Sequence, residues 1–439
     1  MTGVPVGWEL PKLGAIADFV MGQAPPGSAS NFDGRGMPFV KAGEFGPLRP
    51  IIREWTTEPL KCARETDVLI CVVGATCGKI NLGADCAIGR SVAAIRPCPG
   101  FEQHYLHYFL ATLTAELRNA STGSAQGVIS SQQLAEIEVP LAPLVEQRRI
   151  VAKLDALTAR TASARAELDR VPALVGRYKK EVLRATFDGV STVAAANASQ
   201  PWPRKRVSEV IENVVAGKNL RCQERPPNSD ELGVVKVSAV TWGRFDPTAS
   251  KTLPRSFIPP AHTRIRGGDF LLSRANTLEL VGAVVIVDDV PDNLYLSDKI
   301  LRLEMPEDAK PWLMWFMRSP QGRSAIENGA TGNQLSMRNI SQAVLGDIEV
   351  PWPEDGVRDH LVARLESSFA EIDRLAAEAA AARRLLERLD QAILAKAFRG
   401  ELVPQDPAAE PASALLARIS DERAGGGASA KRGRRKALA

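Results

Sequence analysis

The sequence lacks the features that would place it in several large classes. Nowhere do about eighteen apolar residues run together, so no membrane association is expected. The opening Met1-Thr2-Gly3-Val4-Pro5-Val6 carries no basic stretch leading into an apolar one, so no secretory signal is expected. Histidine is scarce. His104, His107, His262 and His360 stand in neither a His-Glu-x-x-His nor a triad-like context. The six cysteines, Cys62, Cys71, Cys77, Cys86, Cys98 and Cys222, form no Cys-x-x-Cys pair. Zinc sites need closely spaced ligands, so no metal is expected, and the cysteines read as small buried thiols of a reducing cytoplasm.

Catalytic signatures are missing too. No Asn/Asp-Pro-Pro-Tyr/Phe motif for base methylation occurs: Ala24-Pro25-Pro26-Gly27, Arg225-Pro226-Pro227-Asn228 and Ile258-Pro259-Pro260-Ala261 all depart from it. Gly74-Ala75-Thr76-Cys77-Gly78-Lys79-Ile80 is one residue short of a phosphate-binding loop and lacks its Mg²⁺-binding hydroxyl. Asp292 with Asp308 and Lys310 has a nuclease-like spacing, but Pro291-Asp292-Asn293 and Pro306-Glu307-Asp308 read as turns. The chain is therefore expected to be non-catalytic and to bind no cofactor itself.

Charge is nearly balanced. The net +4 is carried by Lys431, Arg432, Arg434, Arg435 and Lys436, beyond Gly425-Gly426-Gly427. That composition predicts a basic, flexible tail over 401–439.

What the 439 residues do contain is a duplication. Ile137-Glu138-Val139-Pro140 recurs as Ile348-Glu349-Val350-Pro351, and Phe187-Asp188-Gly189 as Phe398-Arg399-Gly400, at one common offset. Thr122-Gly123 precedes the first copy as Thr331-Gly332 precedes the second, and Trp8 has a counterpart in Trp202. Thr66-Asp67-Val68-Leu69-Ile70 resembles Gly268-Asp269-Phe270-Leu271-Leu272. Copies this long are not solenoid repeats but modules with cores of their own. Each combines β-rich runs, Val68–Val73 or Val281–Val287 among them, with short helices at Tyr105–Leu117 or Trp312–Met317. The expected class is α+β.

A long helix follows each module. Ile150, Leu154, Leu157, Thr161, Ala164, Leu168, Val171, Val175, Tyr178, Val182 and Ala185 alternate at spacings of four and three, which is a heptad seam. The seam recurs in Leu361, Leu365, Ser368, Ile372, Leu375, Ala379, Ala382, Leu386, Leu389, Ile393 and Lys396. Pro143 and Pro353 precede the helices, with Glu146, Glu354 and Asp355 suited to a first turn, and Gly189 and Gly400 end them. Pro172 predicts a kink or a break. A helix from Leu144 to Phe187 is about 65 Å long and cannot bury its seam against itself. The two copies are expected to pair within the chain, or else each to pack on its own module. The predicted domains are 1–142, 143–190, 191–352, 353–400 and 401–439.

Two similar modules on paired helices suit a bipartite ligand, and DNA is the natural one. Base edges are read by Asn, Gln, Arg, Lys, Ser and Thr. The candidate DNA contacts of those types are Lys41, Lys79, Ser124 and Gln126 in the first half. In the second they are Lys236, Ser238, Arg274, Asn276, Thr277, Asn333, Gln334 and Arg338.

The sequence resembles the specificity subunits of type I restriction–modification systems over about residues 8–403. The most distinctive stretch is Val139-Pro140-Leu141-Ala142-Pro143-Leu144-Val145-Glu146-Gln147-Arg148-Arg149-Ile150-Val151, similar to that family's entry into its first conserved helix. Trp8-Glu9-Leu10 and Trp202-Pro203 resemble module starts. Val235-Lys236-Val237-Ser238, Arg274-Ala275-Asn276-Thr277 and Leu280-Val281-Gly282 resemble a target-recognition domain. Leu394 to Leu402 resembles the end of the second helix. The second helix departs by opening Glu354-Asp355-Gly356-Val357-Arg358, without the Glu-Gln pair.

The resemblance implies two target-recognition domains, each reading half of a split double-stranded DNA site, with half-sites about 34 Å apart. It implies that the two long helices form an antiparallel coiled coil that docks DNA methyltransferase subunits. S-adenosylmethionine, ATP and Mg²⁺ would then belong to the methyltransferase and restriction/translocase partners, in the cytoplasm. A coiled-coil scaffold that reads no DNA is the competing expectation.

Overall fold

The computed structural model describes residues 4–122, 128–188, 202–218, 220–334 and 337–436. The chain divides into two compact units, Met1–Leu168 with Ala381–Ala439, and Asp169–Ala380.

The first unit is built on the strand Val68–Cys71, whose four residues are all buried. Its side chains alternate between two faces. Val68 and Ile70 enter one core with the helix Gln103–Thr112, while Leu69 and Cys71 enter another with Val40, Ile88 and Val92. A strand buried on both faces must be apolar throughout, which is why this run is legible in the sequence. It lies in a four-stranded antiparallel sheet, in the order Ala17–Met21, Val92–Pro97, Val68–Cys71, Ile80–Leu82. A five-stranded sheet packs beside it, with Met37–Val40 parallel to Cys86–Ile88.

The second unit repeats the scheme. Phe270–Ser273 is fully buried, with Phe270 and Leu272 in one core and Leu271 in the other. Its sheet runs Asn213–Ala216, Ile300–Glu304, Phe270–Ser273, Val284–Ile286. Backbone bonds set the correspondence between the modules. The Gly78 N–H returns to the Cys71 carbonyl and the Gly282 N–H to the Ser273 carbonyl, both glycines at positive φ. Ile129 bonds to Val72 as Ile340 bonds to Arg274.

The long helices run Leu144–Phe187 and Asp355–Phe398, 44 residues each. In the first unit Ile150 and Leu154 share a core with Ile393 and Ala397, and Arg165 is ion-paired with Asp390. In the second unit Leu183 and Phe187 share a core with Leu361 and Leu365, and Lys179 meets Asp373 at 2.5 Å. In both, the partner number falls as the first rises, so the helices pair antiparallel.

Several expectations need correction. The first helix runs unbroken through Pro172. Not every seam position is covered: Ala164, Tyr178, Leu375, Ala382, Leu389 and Lys396 are exposed, and the covered stripe passes instead through the next residue at each place, Arg165, Lys179, Ala376, Arg383, Asp390 and Ala397, which are half-buried or buried. Cys62 is exposed, whereas Cys71, Cys77 and Cys86 are the buried thiols expected.

The predicted flexible tail contains instead a helix, Ala412–Lys436. Ala412, Leu415 and Ile419 are buried in the first unit's core. Arg423 donates to the carbonyls of Gly14 and Ala17 and pairs with Asp18. The apolar residues that dock this helix lie before the glycines and basic residues that dominate the composition.

The two helix starts are anchored differently. Glu146, 2% exposed, accepts from Trp8 Nε1 at 3.1 Å and Gln405 Nε2 at 2.8 Å, and burial pushes its carboxyl pKa up. Gln147 ties the Glu102 N–H to the Ala142 carbonyl. In the second helix Arg358 takes over. It bridges Asp308 at 2.8 Å and Asp355 at 2.9 Å and lies 4.6 Å from the Trp352 ring centroid. No described helix is long and apolar enough to cross a membrane.

Candidate nucleic-acid interface

In the second unit the predicted residues converge. Ala275–Asn276 pairs with Met337–Asn339, which pairs with Thr331–Gln334. This small sheet sets Asn276 opposite Arg338, although the two are far apart in the sequence. Asn276 accepts from the Thr277 N–H through Oδ1 at 2.9 Å and donates through Nδ2 to Thr241 Oγ1 at 3.4 Å. Thr241 ends the 3₁₀ turn Val237–Val240, which carries exposed Ser238 and follows Lys236. Lys236, Ser238, Arg274, Asn276, Thr277 and Arg338 therefore belong to one neighbourhood. Asn333 and Gln334 lie on its outer strand.

Charge within this group is uneven. Lys236 is 3.5 Å from Glu224, which also holds Lys251 at 2.5 Å. The Lys251 hydrogen bond is the main reason the Glu224 carboxyl stays below its usual pKa. The Arg274 side chain has no hydrogen bond or ion pair among the described residues. Arg338 Nε is buried without a partner. These two guanidinium groups retain donor capacity for an external acceptor.

The first unit assembles fewer of its candidates. Lys41 follows the strand Met37–Val40 as Lys236 follows Gly233–Val235, each leading into a 3₁₀ turn. Lys41, however, is ion-paired with Glu54. Lys79 is exposed at the rim of a cleft of about 600 Å³ lined by Phe45, Ile51, Ile80, His107 and Ala111. Where the second module has Arg274, the matching position in the first is Val72. Ser124 and Gln126 lie outside the described residues.

The nuclease-like residues are held by structural contacts. Asp292 pairs with Arg264, Asp308 with Arg358, and Lys310 with Glu307 and the Gly268 carbonyl. Thr241, Trp242, Arg244 and Arg318, which the sequence pattern did not single out, adjoin this neighbourhood through the Asn276–Thr241 and Arg318–Gly243 hydrogen bonds. The visible signal was a tryptophan in the aperiodic stretch Thr241-Trp242-Gly243-Arg244.

Comparison with known proteins gives one consistent likeness. A family model described as "Type I restriction modification DNA specificity domain" matches residues 5–173. The EcoKI specificity subunit of Escherichia coli K12 is 28% identical over 367 residues, 79% of this chain and 77% of that protein. A chain solved in work on complex assembly and conformational transition of a type I R-M system superposes with a TM-score of 0.68 at 20% identity, covering 92% of this chain and all of that one. The HsdS subunit from Thermoanaerobacter tengcongensis gives 0.58 at 20% identity, covering 91% of this chain and 98% of that one. At that identity the superpositions speak for the fold. Together with the duplicated modules and the antiparallel long helices, these matches make the chain similar to the specificity subunits of type I restriction–modification systems.

Proposed function

We propose that the chain is the sequence-reading subunit of a type I restriction–modification complex, each module reading one half of a bipartite double-stranded site. The observation that carries this is the gathering of Arg274, Asn276, Arg338, Lys236 and Ser238 in one neighbourhood of a module that is itself duplicated. Arginine and asparagine are the side chains best shaped for bidentate contacts to guanine and adenine edges. A scaffold would need neither the second module nor guanidinium groups without internal partners.

The chain would supply specificity, while methylation and cleavage, with S-adenosylmethionine, ATP and Mg²⁺, would belong to methyltransferase and restriction subunits in the cytoplasm. The long helices support that division. Leu174 and Tyr178 in one unit are 49% and 60% exposed, and their repeat equivalents Leu385 and Leu389 in the other are 65% and 45% exposed. Two equivalent apolar i, i+4 pairs suit two copies of one partner, each docking through an apolar helix face.

The test is methylome mapping of a host expressing the whole system. Arg274→Ala or Asn276→Ala should change the methylated sequence in one half-site only. A uniform loss of affinity with an unchanged target would reduce these residues to phosphate contacts. Absence of any duplex binding by the wild-type chain would leave the scaffold reading in its place.

A further inference from the structure

We propose that the turn Trp242-Gly243-Arg244 is a DNA-contacting element of the second module, with the Trp242 indole packing on sugar and base edges and Arg244 pairing with a phosphate. This rests on the reading that the module binds DNA and adds a contact outside the residues already named.

Trp242 is 75% exposed. A solvated indole leaves a large apolar surface uncovered, and its shape and single donor suit a surface that is apolar in part and polar at the edge. The turn is not loose. Gly243 at φ +80° lets the chain reverse, and Phe245 returns to the core. The Gly243 carbonyl accepts from Arg318 Nη2 at 2.9 Å, and the same atom donates to the Val284 carbonyl at 2.9 Å. Arg318 stacks 5.6 Å from the Trp315 ring centroid, which fixes it from below. Trp242 is therefore held outward by a half-buried anchor.

The partner follows from charge and continuity. Arg318 has no ion pair among the described residues, and burial lowers its pKa. Arg244 is exposed and likewise without an ion pair among them. No acidic residue occurs from Thr241 to Phe245. An anionic ligand is favoured over a neutral or cationic one. Thr241, immediately before Trp242, is the residue to which Asn276 bonds, so the turn continues the candidate interface. In the first module the place after the corresponding 3₁₀ turn is taken by Gly46-Pro47-Leu48, which predicts an asymmetric interface.

The experiment uses the full chain and a duplex bearing the sequence methylated in the host, with hydroxyl-radical footprinting read at Trp242 by mass spectrometry. Trp242 should oxidise readily in the free chain and be protected by the duplex. Trp242→Ala should weaken binding roughly 5- to 100-fold, as the loss of an aromatic interface anchor does, without changing the melting temperature. Trp242→Phe should restore most of the affinity. Arg244→Ala should reduce the salt slope by about 0.9.

Equal oxidation with and without bound duplex, or wild-type affinity in Trp242→Ala, overturns the inference while leaving DNA reading intact. Protection by a methyltransferase subunit in the absence of DNA also overturns it and assigns the turn to a protein partner. If the wild-type chain binds no duplex, the DNA-reading proposal falls and this one with it.

Discussion

Trp312 donates its indole N–H to the Pro351 carbonyl at 2.8 Å, and Tyr105 donates its hydroxyl to the Pro140 carbonyl at 2.5 Å. Pro140 and Pro351 are repeat equivalents at the module exits, just ahead of the long helices. Two chemically different aromatics thus play the same role, each pinning the segment that launches its helix to its own module's core. Both rings are fully buried. Trp312→Phe and Tyr105→Phe each leave a buried carbonyl without its donor, at a cost of about 1–3 kcal/mol. Urea titration of the full chain should show each variant's transition at lower denaturant. Trp312→Phe should lose more, since it also leaves a cavity.

His107 gives the first unit a pH dependence. It is 8% exposed with Nδ1 unpartnered. Burial, reinforced by His104 and opposed by Asp155, lowers its pKa to about 4. Unfolding restores a value near 6.5, so the unfolded chain binds more protons between those limits. Stability from this group is complete above about pH 6.5 and is lost as pH falls toward 4. The amount is about 3 kcal/mol at most, at 1.36 kcal/mol per pH unit. Because carboxylates titrate in the lower part of the same window, the check is a difference. His107→Gln should flatten the stability–pH curve between pH 6.5 and 4 relative to the wild type. Parallel curves would show that His107 is not the titrating group.

How far the sequence revealed this structure depends on the range of the interaction. Val68–Cys71 and Phe270–Ser273 were legible because a strand buried on both faces writes its environment into every residue. The long helices were legible because their period repeats for many turns. Exposure along the seam was not, since Leu375 and Leu389 carry the same heptad signal as Leu365 and Ile372. Pairings across the sheet were also hidden: nothing near Lys41 announces Glu54, and only strand register brings Asn276 opposite Arg338. The tail was misread because composition weights its glycines and basic residues over three apolar positions, Ala412, Leu415 and Ile419.

Pro172 is a local conflict that the fold tolerates. It lies inside an unbroken helix, where it deprives the Leu168 carbonyl of the usual N–H donor and crowds the preceding turn. Its side chain is exposed, so alanine there removes no core contact. Pro172→Ala should therefore raise stability, by up to about 3 kcal/mol, the difference in helix propensity. Thermal melting should place the variant above the wild type. A lower melting temperature would mean that the helix is shaped around the proline and that its pairing depends on that shape.

The exposed apolar pairs on the long helices make a prediction about stoichiometry. Leu174 with Tyr178 and Leu385 with Leu389 occupy equivalent turns of the repeat. If each pair seats one copy of the same methyltransferase subunit, then Leu385→Asp with Leu389→Asp should remove one copy. Leu174→Asp with Tyr178→Asp should remove the other, and all four substitutions should remove both. Because these side chains are largely solvated already, a charge there should leave the chain's own stability within about 0.5 kcal/mol of wild type. At a docking surface the same charge would be desolvated without a partner, which costs several kcal/mol. Native mass spectrometry of the assembled complex distinguishes two, one and no bound copies directly. Retention of two copies in the fourfold variant would move the docking surface elsewhere, and loss of both copies from either double variant would show that the two seats are coupled rather than independent.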